Sequence, residues 1–128
     1  MKLKYRLIKR ANPLDRTRQK WYATPVYAGR IERKDLDKEI VNMSSLSRGD
    51  VSNAIENFLD IIPKYLMMGK SVSLGELGTL RLSFSSMGVD QPEHLHARMI
   101  RSPRVVFIPS SELRKSLKEI TFEKEEEK

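Results

Sequence analysis

The chain contains no cysteine. Disulfides, thiolate nucleophiles and Cys-based zinc sites are therefore excluded. Histidine is scarce too: His94 and His96 are the whole supply. On an extended strand they would share a side, with Glu93 adjacent. A metal centre usually gathers three ligands from separate elements, held by further hydrogen bonds. The plainer reading is two loop histidines, and neither a metal nor a cofactor is expected. Serines are plentiful, but no Gly-x-Ser-x-Gly elbow and no P-loop glycine run appears. No catalytic constellation stands out, so an enzyme with a small-molecule substrate is not expected. No apolar run is long enough for a signal peptide or a membrane span. A reducing, cytoplasmic setting without a membrane partner is the expectation.

What is present is charge, unevenly placed. The net charge is +7 over 128 residues. Residues 1–34 hold eleven basic and two acidic side chains, or +9, which leaves −2 for the remainder. A basic surplus on one part of a chain suits a polyanionic partner. The length favours one domain. A compact domain of that size buries roughly two-thirds of its unfolded-chain surface, so a sizeable core is expected.

The most informative stretch runs from Ser47 to Leu82. Val51, Ala54, Ile55, Phe58, Leu59, Ile62 and Leu66 follow helical spacing. Ser47, with Asp50 three residues later, reads as a capped start, and Gly69 as a C-cap. Pro63 lies inside this helix and should bend it. Gly75 and Gly78 punctuate a turn. From Thr79, Leu80, Leu82 and Phe84 alternate with Arg81, Ser83 and Ser85, which reads as a half-buried strand.

Upstream, Lys2–Arg10 alternates as a strand, with Leu3, Tyr5 and Leu7 on one side and Lys4, Arg6 and Arg10 on the other. Residues 11–20 read as a turn and a long basic loop, and Trp21–Ala28 as a second strand. Pro25, which lacks an N–H, belongs at an edge or a bulge. Tyr5, Trp21, Tyr22 and Tyr27 fit packing better than base stacking. A short helix is expected over Arg33–Ser44, with Leu36, Ile40 and Met43 on one side. Downstream, Ser86–Pro103 lacks strong periodicity. Arg104–Ile108 is apolar on both faces from Val105 and reads as an interior strand. Ser110 or Ser111 can cap a last helix with Leu113, Leu117 and Ile120 inward. Glu123–Lys128 reads as a frayed charged tail.

Four pieces carry a resemblance: Leu46-Ser-Arg-Gly-Asp-Val-Ser-Asn-Ala-Ile, Met68-Gly-Lys-Ser-Val-Ser-Leu, Gly78-Thr-Leu-Arg-Leu and Val106-Phe-Ile-Pro-Ser-Ser-Glu-Leu-Arg-Lys. In this order they resemble the bacterial HU/IHF histone-like DNA-binding proteins over residues 33–120. The added N-terminal segment makes the chain most similar to the longer, HU-HIG type. The resemblance implies an α+β fold: an N-terminal helical hairpin, a β-sheet with an arm, and a C-terminal helix. Residues 1–30 would add a basic β-hairpin packed on the domain. Residues 31–122 would form the DNA-binding domain, and 123–128 the tail.

The resemblance implies duplex DNA as partner, bound without reading sequence and in some relatives bent, as a nucleoid-associated architectural protein. In the family an arm proline wedges between base steps. Pro92 is nearest by position, although Asp90 and Glu93 flank it, and an ordinary loop proline is the competing reading. Arg98, Arg101 and Arg104 recur every three residues where the arm would return. They suit phosphates or a narrow minor groove, or are simply solvated. Lys70 and Arg81 flank the glycine turn, whose amides meet phosphate in relatives. Arg114, Lys115 and Lys118 on the last helix, and Arg16, Arg18 and Lys20 in the basic loop, complete the candidate set. HU relatives form dimers. The stripe from Val51 to Leu66 could serve a homodimer interface or pack against the hairpin. The alternative function is a protein-interaction or assembly module on the same scaffold with little DNA binding.

Overall fold

A computed structural model of the protein describes residues 1–126. It comprises three helices and two three-stranded sheets, divided between two compact units. The terminal unit holds Met1–Arg33 and Lys115–Lys128, and the central unit Lys34–Arg114.

In the terminal unit, β1 (Lys2–Asn12) lies between β2 (Asp15–Pro25) and β6 (Thr121–Lys124). The expected long loop over residues 11–20 is instead a tight turn followed by strand. Asn12 and Asp15 make it tight. The Leu14 N–H donates to Asn12 Oδ1 at 3.0 Å, and the Thr17 N–H to Asp15 Oδ1 at 3.0 Å. Such side-chain caps close turns without a glycine. Arg16–Lys20 are exposed, so no burial enforces an alternating pattern, and the strand was not visible in the periodicity. The second strand also stops at Pro25 rather than Ala28. Pro25 does sit on an edge strand, as its missing N–H requires.

The expected tail is corrected as well. Glu123 and Lys124 belong to β6, which pairs in parallel with β1, Lys4 opposite Glu123 and Tyr5 opposite Lys124. The Thr121 N–H reaches the Met1 carbonyl at 3.1 Å and the Glu125 N–H the Tyr5 carbonyl at 2.8 Å. Backbone pairing of this kind leaves little trace in a four-residue side-chain pattern. Residues 127 and 128 of that tail lie outside the described residues.

In the central unit, α1 (Arg33–Met43, its first residue in the terminal unit) and α2 (Arg48–Met67) match their expected positions. Ser47 Oγ accepts the Asp50 N–H at 3.1 Å. Gly69, at φ 79°, ends α2, with its N–H on the Leu66 carbonyl at 3.0 Å. That is the left-handed termination glycine permits. The second sheet runs β3 (Val72–Ser73), β4 (Gly78–Ser86), β5 (Ile100–Pro109), with β4 central. The expectation of an interior strand at Arg104–Ile108 is therefore not met within one chain: β5 is an edge, and Val105 and Phe107 are exposed. Helix α3 (Ser111–Leu117) starts at Ser110, whose Oγ accepts the Leu113 N–H at 3.0 Å and donates to the Glu76 carbonyl.

The sizeable core is also absent from the single chain. Among the described residues only Val51 and Leu66 are buried apolar side chains. The chain exposes 11580 Å², whereas two compact units of these lengths would expose roughly 8,400 Å² by ordinary size scaling. On α2, the side chains turned inward are Val51, Ile55, Ile62 and Leu66. Ala54, Phe58, Ile61 and Tyr65, also at helical spacing, are exposed. The expected single stripe is in fact two, roughly a quarter-turn apart.

Two outcomes follow. Gly78 has φ 154°, and a Cβ there would run into the Ile108 carbonyl and the Phe107 ring. Gly78→Ala should therefore cost ~2–4 kcal/mol in denaturant unfolding. The Asp15 carboxyl is held below the ordinary range, first by the Thr17 hydroxyl and then by the Thr17 N–H. A lowered folded-state pKa contributes stability above the ordinary value that is lost as pH falls through the lowered one. NMR titration of Thr17→Val should move the Asp15 midpoint upward.

Candidate nucleic-acid interface

The candidate residues fall into separate groups. Arg81 lies on β4, and Arg101 and Arg104 on β5. A spacing of three would put two residues of a regular strand on opposite sides. The pairing shows why it does not: Ser83 faces Arg104, Ser85 faces Arg101, and β5 carries one extra residue between them. Ser102 absorbs it at φ 56°, the left-handed geometry of a β-bulge. Directly opposed residues share a side. Arg101 and Arg104 consequently lie on the same face as Ser83, Ser85 and Arg81, and opposite Leu80 and Leu82. Arg104 Nη1 is steadied by Ser85 Oγ at 3.1 Å and by the Ser102 carbonyl at 3.2 Å. The three guanidinium-bearing side chains are exposed, and the two serines add hydroxyl donors beside them. Guanidinium and hydroxyl groups of this kind can hold anionic oxygens.

Lys70 follows the α2 cap, and its Nζ stands 5.6 Å from the Tyr65 ring centre; Lys64 Nζ approaches the same ring at 5.5 Å. Arg81 lines a groove of about 490 Å³ with Gly69, Ser71 and Phe84, which places it near the Lys70 backbone. The turn's amides are less available than the resemblance implies. The Gly75 N–H reaches Ser73 Oγ at 3.3 Å and the Leu77 N–H the Leu74 carbonyl at 3.4 Å.

Between β4 and β5 there is no long arm. The last paired residues are Ser86 and Ile100, and the Met87 N–H meets the Met99 carbonyl at 3.3 Å. The segment between them folds into two short 3-10 turns, Pro92–His94 and Ala97–Met99. Pro92 opens the first, its carbonyl accepting the Leu95 N–H at 3.2 Å, and Arg98 sits in the second.

Arg114 lies on α3 in the central unit; Lys115 and Lys118 belong to the terminal unit. Arg16 and Arg18 lie on β2 within an irregularity, because Asp15 pairs with Asn12 and Gln19 with Ala11. Arg18 Nε is 3.6 Å from Asp15 Oδ2. Lys20 is regularly paired, opposite Arg10. Sequence reasoning put Ser83 and Ser85 on the side of Arg81 but missed them as neighbours of Arg101 and Arg104. It also left out Lys2, Lys4, Arg6 and Arg10, although the alternation of β1 had marked them.

The helical hairpin, small sheet and short C-terminal helix are consistent with an HU-like domain. The family model described as an HU domain fused to wHTH, Ig, or Glycine-rich motif matches residues 1–124, and the chain belongs to this HU-HIG family. A solved structure from Bacteroides vulgatus ATCC 8482, described provisionally as a bacterial DNA-binding protein, is similar at a TM-score of 0.65 and 20% identity. The likeness covers 98% of this chain and 49% of that one, so this chain spans about half that neighbour's length. It concerns the fold. No match is found among curated proteins.

Because Ser102 sets the facing of both arginines, its conformation is testable. Ser102→Gly should be neutral within ~1 kcal/mol, whereas Ser102→Val, a β-branched residue at positive φ, should cost ~1–2 kcal/mol. Thermal unfolding of the two variants, with amide exchange across β4–β5, measures it.

Proposed function

We propose that the protein binds duplex DNA through its phosphate backbone, without reading base sequence, as an architectural component of the nucleoid. The observation that carries this reading is the exposed β4–β5 face where Arg81, Arg101 and Arg104 stand beside Ser83 and Ser85. Guanidinium groups meet phosphate oxygens with directed, charge-assisted bonds. Membership of an HU family and a structural neighbour described as DNA-binding point the same way. Lys70 and Arg98 are outer contributors, and Arg114, Lys115 and Lys118 lesser ones. Arg16, Arg18 and Lys20 belong to the basic terminal unit. Bending by Pro92 is the weaker part of the reading, since this proline begins a short turn and Glu93 follows it.

The uncovered stripe of α2 supports a homodimer. Phe58 and Ile61 are each about half exposed, a costly arrangement for apolar side chains on one surface. A second copy would cover them and the β5 edge. The same exposed surface, with a central unit of ten basic and ten acidic residues, favours the alternative of an assembly module.

Fluorescence anisotropy with random-sequence duplex separates the two. DNA binding predicts affinity falling steeply with salt, and a salt slope lower by roughly 1 for each arginine removed in Arg81→Gln/Arg101→Gln/Arg104→Gln. Pro92→Ala should change affinity less than about twofold on the same contact-counting argument. A folded protein that ignores duplex at low salt would sustain the assembly reading instead. Sedimentation should find a dimer, and Phe58→Asp should shift it to monomer.

A further inference from the structure

The central unit is neutral, so the chain's whole surplus lies elsewhere: the terminal unit has fourteen basic and seven acidic residues, or +7. Strand register sorts that charge. Alternate residues of a strand share a side, and directly paired residues share it across strands. Arg10 pairs with Lys20, Ile8 with Tyr22, Arg6 with Thr24, and Lys4 with Glu123. Lys2, Lys4, Arg6, Arg10 and Lys20 therefore share one face of the β2-β1-β6 sheet and are exposed on it, with half-buried Ile8 between Arg6 and Arg10 and exposed Tyr22 opposite Ile8. Leu3, Tyr5, Leu7, Trp21 and Phe122 take the other. Lys9 is on that apolar side, its Nζ 5.8 Å from the Trp21 ring centre.

We propose that this cationic sheet face is a second contact surface for duplex DNA phosphates, distinct from the β4–β5 face; it rests on the DNA-binding reading above. Lys2, Lys4 and Arg6 follow one another about every 6.6–6.8 Å along β1, and Ile8 separates them from Arg10. Their side chains stand in water, where they can release the counterions of a polyanion without inserting anything. The hydroxyls of Tyr22 and Thr24 share the face and supply neutral donors, while that of Thr121 donates to the Met1 carbonyl at 3.3 Å. An anionic membrane is the less suitable polyanion. Interfacial binding needs large apolar side chains inserted beneath cations on the same side, and here Leu3, Leu7, Trp21 and Phe122 lie on the opposite side, with Ile8 and Tyr22 alone among the cations. The face is not uniform. Glu123 stands beside Lys4, and Glu125 Oε2 is 3.2 Å from Arg6 Nε. These carboxylates compete with phosphate at one end and leave Arg10 and Lys20 as the stronger end.

The test uses the full chain, random-sequence duplex and a salt titration of anisotropy. Lys4→Gln/Arg10→Gln/Lys20→Gln should weaken binding by roughly tenfold and lower the salt slope by about 2–3, near 0.9 for each phosphate contact. A charge-matched control, Lys9→Gln/Arg30→Gln/Lys124→Gln, removes three cations from the apolar side and from outside the sheet. It should weaken binding less than about threefold if contacts, not overall charge, set the affinity. Glu123→Gln/Glu125→Gln should tighten binding more than Glu39→Gln/Asp60→Asn, an equal change of charge outside this sheet, which decides the matter even if the first variant unfolds. Equal losses in the face variant and the control would overturn the proposal. So would full affinity in the face variant while Arg81→Gln/Arg101→Gln/Arg104→Gln loses binding; the main reading would then stand and this one fall. Wild type that ignores duplex at low salt overturns both. Wild type that ignores duplex but binds phosphatidylserine vesicles, with binding lost in the face variant, assigns the face to membrane and overturns this proposal.

Discussion

Between β4 and β5 the backbone has one residue to spare, and it places that residue at Ser102 with φ 56°. The side-chain arrangement of the central sheet depends on this irregularity. Without it, Arg101 and Arg104 would project to opposite sides, one of them among Leu80, Leu82 and Phe107. With it, both stand beside Arg81 and the two serines. A bulge is a small local cost, of order 1 kcal/mol for a non-glycine residue at positive φ. What it brings about is an alignment of three exposed guanidinium groups, one of them held by Ser85 Oγ and the Ser102 carbonyl.

Helix α2 contacts β3 and β4 of the same sheet. That helix has two apolar stripes, of which the chain covers only one. Val51 and Leu66 are covered, while Phe58 and Ile61 are not. A three-stranded sheet is close to the minimum that holds together by itself, and an unpaired β5 edge invites pairing. The thin core and the open edge lie in the same unit. Together they leave apolar surface and backbone hydrogen-bonding groups of that unit uncovered by the chain itself.

Charge is divided by unit. The central unit balances its acids and bases, and the terminal unit holds the whole surplus. In the terminal unit β1 does the organising, since it alone has a paired neighbour on each side. Its alternation of Lys and Arg with Leu and Tyr gives the sheet a mainly cationic and a mainly apolar face, with Ile8 and Lys9 as the exceptions on each. Its two partners come from opposite ends of the chain, and β6 brings acids to one margin.

Helices α1 and α2 were legible because everything that specifies them lies within a few residues: the Ser47 cap, Gly69 at the end, and apolar side chains at helical spacing. The family resemblance, the strand at β1 and the edge position of Pro25 were legible for similarly local reasons. The second apolar stripe, the strand character of Arg16–Lys20, the role of Thr121–Lys124 and the edge position of β5 were not. Solvated strands need no alternation, and burial depends on how much surface a neighbour offers. By itself the sequence determined which segments are helical, where turns fall and that cations crowd the N-terminal end. Tertiary structure alone decided which cations share a face, because strand register joins residues far apart in the chain, and a single bulge changes the facing of every side chain beyond it.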